Sequence, residues 1–243
     1  MRLVLLYPPL LIALAAASGA AAANDFVVYS PSLVQGQNEL ETRAFYFQDG
    51  NGSKDDGEYE YNIAAGHTFT SWWKSEVYFV NVKRDTAAGE TPKFDHYEFE
   101  QTFQLAPVGK YFVTPGFLLS YEPSTRSNTP DTVEYGPLFE RQDGRFTQRL
   151  NLIWEREVGG GASGKPAFRN TYSLSYRWRP TLQPAMEVYL RYSDNNYHLG
   201  PMIYGELNTP YGGEIEYKVG AVFGVNRDTP NATWIARFEY EFF

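Results

Sequence analysis

The stretch Phe168-Arg-Asn-Thr-Tyr-Ser-Leu-Ser-Tyr-Arg-Trp-Arg179 alternates with a period of two. Phe168, Asn170, Tyr172, Leu174, Tyr176 and Trp178 share one face, and Arg169, Thr171, Ser173, Ser175, Arg177 and Arg179 share the other. A helix would scatter these residues around its axis, whereas a strand sorts them into an apolar and a wet side. The same phase recurs at Tyr97, Phe99, Phe103 and Leu105 against His96, Glu98, Glu100, Thr102 and Gln104. It recurs again at Ile215, Tyr217, Val219, Ala221, Phe223 and Val225 against Glu214, Glu216 and Lys218, and at Trp234, Ala236, Phe238, Tyr240 and Phe242 against Arg237, Glu239 and Glu241. No amphipathic helix of useful length interrupts the pattern.

Working outward, the alternation predicts strands near 38–48, 57–71, 75–83, 94–105, 111–121, 132–142, 145–157, 168–179, 185–193, 198–207, 213–225 and 232–242. The connections fall into two groups. Residues 49–56, 84–93, 122–131, 158–167, 194–197 and 226–231 form one, and shorter turns such as 106–110 and 143–144 form the other. Pro115, Pro137 and Pro201 sit inside predicted strands, each beside a glycine, so bulges or kinks are expected there.

Composition bounds the rest. The 243 residues are 43% hydrophobic and 17% aromatic, which is too many large side chains for a disordered chain. Mean hydropathy is nevertheless −0.44. Beyond the first two dozen residues no run approaches the roughly 18 apolar residues of a spanning helix, so a helical transporter or channel is excluded. The absence of Cys excludes thiol catalysis, thiolate zinc, disulfides and a lipidated N-terminal cysteine. Residues 1–23 read as a secretory signal, with Arg2 as the positive region, Leu3 to Ala17 as the apolar region and Ala21-Ala22-Ala23 as the cleavage site. One domain, residues 24–243, is expected to follow. Removing the signal takes away one base and no acid, so the chain becomes more acidic than its net charge of −8, and no nucleic-acid partner is expected.

A soluble sandwich could also alternate, and the height of each Trp separates the two cases. Trp72, Trp73 and Trp178 fall at the short-turn end and Trp154 and Trp234 near the long-loop end, as expected of two interface belts. Charged residues alternating inward would be costly in a dry sandwich core and suit a wet lumen. The fold expected is all-β, a closed antiparallel up-and-down transmembrane barrel of about twelve strands.

On these residues the chain resembles outer-membrane β-barrel proteins of Gram-negative bacteria. Its most specific motif is the end, Trp234-Ile-Ala-Arg-Phe-Glu-Tyr-Glu-Phe-Phe243, similar to the aromatic-terminated signal read by the barrel-assembly machinery. Phe238, Tyr240, Phe242 and Phe243 would carry that signal, with Phe242 in phase and Phe243 one residue beyond. The segments Asn38-Glu-Leu-Glu-Thr-Arg43, Phe103-Gln-Leu105, Val133-Glu-Tyr-Gly-Pro137 and Glu155-Arg-Glu157 resemble an uncharacterised family of exported proteobacterial proteins. A weaker similarity, in strand count and Pro115-Gly-Phe-Leu-Leu119, is to small oligogalacturonate porins. The resemblance implies an outer-membrane location, contact with membrane lipid and lipopolysaccharide, and assembly by the barrel machinery. The porin similarity also implies passage of acidic sugars along arginine tracks, which the acid excess opposes.

The lumen is the first candidate site. Its expected lining includes Glu98, Glu100, Glu155, Glu157, Glu214, Glu216 and Glu239 among the acids and Arg145, Arg149, Arg169, Arg177, Arg179, Arg191 and Arg237 among the bases. The acid surplus favours cations if water fills the lumen, and Arg145, Arg149, Arg177 and Arg179 would form a basic stripe at one end. Cross-strand pairing of Glu157 with Arg169, and of Lys218 with Glu239, would instead plug it. The second candidate, Asp49, Asn51, Ser53 and Asp55 with Glu60, has calcium-loop spacing but Lys54 where glycine is required. It reads as a polar hairpin tip, and no metal or cofactor is expected. The third is a lipid hydrolase built on His67, His96 or His198. The last two point inward, and His67 has no Ser or acid in step, so no catalysis is expected. A narrow, weakly cation-preferring passive channel is the expected function, with a closed, salt-bridge-filled structural or surface-interaction barrel as the alternative.

Overall fold

The computed structural model describes residues 26–49, 56–83, 91–210, 212–226 and 229–243. It contains twelve strands: β1 Asn38–Gln48, β2 Tyr59–Thr70, β3 Trp73–Lys83, β4 Lys93–Gln104, β5 Thr114–Glu122, β6 Asp131–Asp143, β7 Phe146–Val158, β8 Ala167–Tyr176, β9 Gln183–Arg191, β10 Asn196–Asn208, β11 Glu214–Gly224 and β12 Ala232–Phe242. Each pairs antiparallel with the next, and β1 pairs with β12 from Asn38↔Phe242 to Gln48↔Ala232, so the sheet closes without an edge. The protein is an all-β, closed, up-and-down twelve-stranded barrel. A secretory segment at 1–23 lies outside the described residues.

The alternation sorts as expected. On β8, Arg169, Thr171, Ser173 and Ser175 are buried in the interior while Leu174 is exposed on the outer wall. Leu40, Ile63, Phe79, Phe99, Leu199, Ile203 and Phe223 give that outer wall a broad apolar surface. β8 stops at Tyr176, three residues earlier than predicted. Trp178 N turns back to the Tyr176 carbonyl at 2.9 Å, and Pro180 has no N–H with which to continue a ladder.

The prolines do not make bulges. Register runs unbroken through Pro115 and Pro137 between β5 and β6, and it is the same on either side of Gly136-Pro137 and of Gly200-Pro201. The accommodation is glycine instead of an inserted residue. A Cβ on Gly136 would lie 1.9 Å from the Leu152 carbonyl oxygen, and one on Gly200 would lie 2.0 Å from that of Ala221. The wall therefore closes onto its neighbour where proline cannot donate. The register shifts that do occur lie at Thr68/Thr70 and Val80/Asn81.

Candidate functional site

Residues 26–37 precede β1 and run inside the barrel. From Asn38 at the short-turn end the segment passes inward. Gly36 N donates to the Thr68 carbonyl at 2.8 Å, and Leu33 N to Gln104 Oε1 at 2.8 Å. Ser32 Oγ and Ser30 Oγ donate to the two carboxylate oxygens of Glu140 at 3.0 and 2.8 Å. Asn151 then clasps Tyr29 at both ends, accepting from its N–H at 2.7 Å and donating to its carbonyl at 3.1 Å. Tyr189 Oη donates to the Phe26 carbonyl at 3.1 Å. Gly36 uses the Thr68 carbonyl freed at the β2 register shift, and deeper in, where the wall's backbone groups are already paired, the extended chain needs side-chain partners.

The apolar half of the segment has its own seat. Phe26, Val27, Val28 and Tyr29 are buried against Phe45, Leu118, Leu138, Ile153, Tyr189, Met202, Val222 and Ile235, which all point inward from the wall. Leu118, Leu138, Ile153 and Val222 are 0% exposed, so no water touches these four side chains. Each large apolar side chain buried here contributes on the order of 2 kcal/mol. Gly116 marks the closest approach, since a Cβ there would lie 2.4 Å from that of Pro31. Burial, then the nearby Glu100 carboxylate, pushes the Tyr29 hydroxyl well above its ordinary pKa, and that hydroxyl has no hydrogen-bond partner among the described residues.

Polar interior residues pair in a pattern the sequence reading did not anticipate. Arg169 on β8 makes a two-pronged pair with Glu134 on β6, both bonds at 2.6 Å. Arg191 on β9 meets Glu155 on β7 at 3.1 Å, Lys218 on β11 meets Glu187 on β9 at 2.7 Å, and Lys74 on β3 meets Glu39 on β1 at 2.8 Å. Every one of these skips a strand. Neighbouring strands are about 4.8 Å apart, and on a concave inner surface long side chains two strands apart converge. The expected partners therefore differ: Glu157 accepts from Ser163 N at 2.7 Å, and Glu239 pairs with Arg237, which also binds Glu41. Glu98 accepts from Ser120 Oγ at 2.6 Å, while both Glu100 oxygens are buried without a hydrogen bond among the described residues.

The predicted basic stripe is partly assembled. Arg145, Arg149 and Arg177 line one cavity at the short-turn end. Arg179 does not join them: it lies past β8, exposed, in an isolated bridge with Leu182 and over the Trp178 ring. Glu216 and Glu239 line the same cavity. Glu39, Glu239 and Glu241 bring carboxylate oxygens within 4.8 Å of one another, but Lys74, Arg237 and Gln37 respectively engage them.

Trp72, Trp73 and Trp178 stand at the short-turn end, and Trp154 and Trp234 on the outer wall towards the other. Phe238, Tyr240 and Phe242 face outward on β12, Tyr240 stacking on Phe242 at 5.2 Å, and Phe243 lies past the strand. Of the polar loop, Asn51, Ser53 and Asp55 lie outside the described residues, and Asp49 N is held by Asp56 Oδ1 at 2.8 Å. His198 packs edge-on against Phe26 at 4.9 Å, His96 lies 3.1 Å from Asp95, and His67 lies 2.9 Å from Asn38 Oδ1.

Residues 26–37 and the inward apolar belt escaped the sequence reading. A signal was present: Phe26-Val-Val-Tyr29 is an apolar run directly behind the predicted cleavage site, and Phe45, Val222 and Ile235 are apolar residues in the polar phase of their strands. The fold and interior define a closed barrel with an internal N-terminal strap. No protein-family model matches the sequence, and no curated protein is significantly similar to it.

Proposed function

We propose that this is an exported outer-membrane barrel whose lumen is held shut by its own N-terminal segment, with a structural or surface-interaction role in that form. The apolar outer wall supports membrane insertion, since a soluble monomer rarely exposes so large an apolar surface. Lipid and lipopolysaccharide would contact that wall, and the barrel-assembly machinery would read Phe238, Tyr240 and Phe242. The observation that carries the closed reading is the seating of Phe26–Tyr29 in the belt of Leu118, Leu138, Ile153 and Val222. Folded protein reconstituted in liposomes is expected to release no trapped small solute. Rapid efflux from the native chain would overturn the reading.

Narrow, cation-preferring passage is the second reading, and it applies to a form with the segment displaced. The few polar hooks on residues 29–36 favour it, because they are separable contacts and not a continuous ladder. The exposed lumen would carry a carboxylate excess and prefer cations.

A further inference from the structure

Beneath the apolar belt the lumen opens into a cavity of about 250 Å³ at the short-turn end. Val28 of the N-terminal segment forms part of its inner end, so with the segment seated the cavity is blind. Charge is distributed unevenly around it. Arg145 in the β6–β7 turn, Arg149 on β7 and Arg177 past β8 form a basic arc, with Arg177 N donating to the Arg145 carbonyl at 2.8 Å. Glu206 on β10, Glu216 on β11 and Glu239 on β12 supply the acids on the other side, where Lys218 and Arg237 alternate with them.

Most of these charges are already committed. Arg149 pairs with Glu140 at 2.7 Å, Arg177 with Glu206 at 2.5 Å, and Glu239 with Arg237. Lys218, also in the lining, is held by Glu187. Arg145 and Glu216 remain, one on each side, with no side-chain hydrogen bond or ion pair among the described residues. These two opposite charges, both exposed at the mouth of a cavity whose inner end is apolar, set up a field across it. A singly charged solute would satisfy one side and meet repulsion at the other. A solute carrying both charges would satisfy both without altering the net charge of the cavity. Guanidinium offers a carboxylate a two-pronged contact, and Glu216 offers an ammonium group an acceptor. Thr147 and Ser175, cross-strand partners on β7 and β8, add hydroxyls to the lining.

We infer that this cavity binds a small zwitterion of the amino acid or dipeptide class, its carboxylate on Arg145 and its ammonium on Glu216. The inference rests on the closed-lumen reading, because the seated segment is what makes the cavity blind.

The test uses the full mature chain folded in detergent micelles and equilibrium dialysis against labelled dialanine. N-acetyl-dialanine serves as the anion of the same backbone and dialanine amide as the cation. Dialanine is expected to bind, with both singly charged analogues weaker by about tenfold or more. Arg145→Gln should remove the preference for dialanine over the cation, and Glu216→Gln the preference over the anion. Both positions are exposed, so folding is checked by heat-modifiable migration and is expected to be unchanged. Equal or tighter binding of N-acetyl-dialanine would make the cavity an anion site and overturn the inference. So would no binding at millimolar dialanine, or affinities unmoved in both variants. No binding by a chain that retains trapped solute in liposomes defeats the zwitterion site alone, whereas efflux from the native chain defeats the closed lumen first.

Discussion

Asn151 on β7 and Tyr29 of the N-terminal segment, 122 residues apart in sequence, form a closed two-bond clasp: the Asn151 amide accepts from the Tyr29 N–H at 2.7 Å and donates to its carbonyl at 3.1 Å. Thr171 Oγ1 donates to the same Asn151 oxygen at 2.9 Å, fixing the amide from the wall side. The clasp gives an extended strap inside a barrel the partners that a sheet neighbour would otherwise supply.

Asn151→Leu is expected to loosen the segment, since it strands a buried N–H and a buried C=O at a cost of about 1–3 kcal/mol each. The Cys-free chain makes the measurement clean. Val27→Cys, buried in the belt and away from the cavity lining, should resist a water-soluble maleimide in the otherwise native barrel and react when combined with Asn151→Leu. Equal labelling in both backgrounds would remove Asn151 from the role.

Tyr29→Phe should leave seating unchanged or tighten it, because the Tyr29 hydroxyl is buried without a partner among the described residues and its removal relieves a desolvation cost of about 1–3 kcal/mol. Protection of Val27→Cys from maleimide reads the effect. A marked gain in labelling would show that the hydroxyl holds the segment.

Gly116→Ala should be costly. Its new methyl would lie 2.4 Å from Pro31 and 2.8 Å from the Phe103 carbonyl, and overpacking of this kind costs about 1–3 kcal/mol. Gly160→Ala, with nothing within 4 Å of the added carbon, is the control. Denaturant unfolding midpoints of the two variants should separate, and coincident midpoints would contradict the packing.

Glu134→Gln should destabilise the barrel by about 3–5 kcal/mol, because it takes away the carboxylate charge that meets buried Arg169 through two bonds. Glu100→Gln, which discharges a buried carboxylate whose oxygens accept no hydrogen bond among the described residues, should be neutral or stabilising. Denaturant unfolding orders the two, and the reverse order would refute this account of the interior charges.

The fold was legible because each strand repeats one phase: Phe168 to Tyr176 alone fixes which side of β8 is wet, and the same reading on β4, β11 and β12 closes a barrel. The interior was less legible. The alternation says that Arg169 and Lys218 point inward, but not which carboxylate each meets, since curvature brings strands two apart together and Glu134 and Glu187 win over the adjacent candidates. Tertiary placement of residues 26–37 leaves no period in the chain at all. Its only traces are Phe26-Val-Val-Tyr29 and the apolar residues such as Ile235 that break the polar phase opposite it. The prolines misled for a related reason: proline marks a gap in the ladder, and whether a bulge or a glycine contact fills it depends on the neighbouring strand.

Ion current across a planar bilayer, recorded for the native chain and for a variant lacking residues 26–36, tests the closed lumen most directly. The native chain is expected to be silent and the shortened one to show stepwise, cation-preferring conductance. Equal conductance from both would contradict the assignment of the N-terminal segment as the plug.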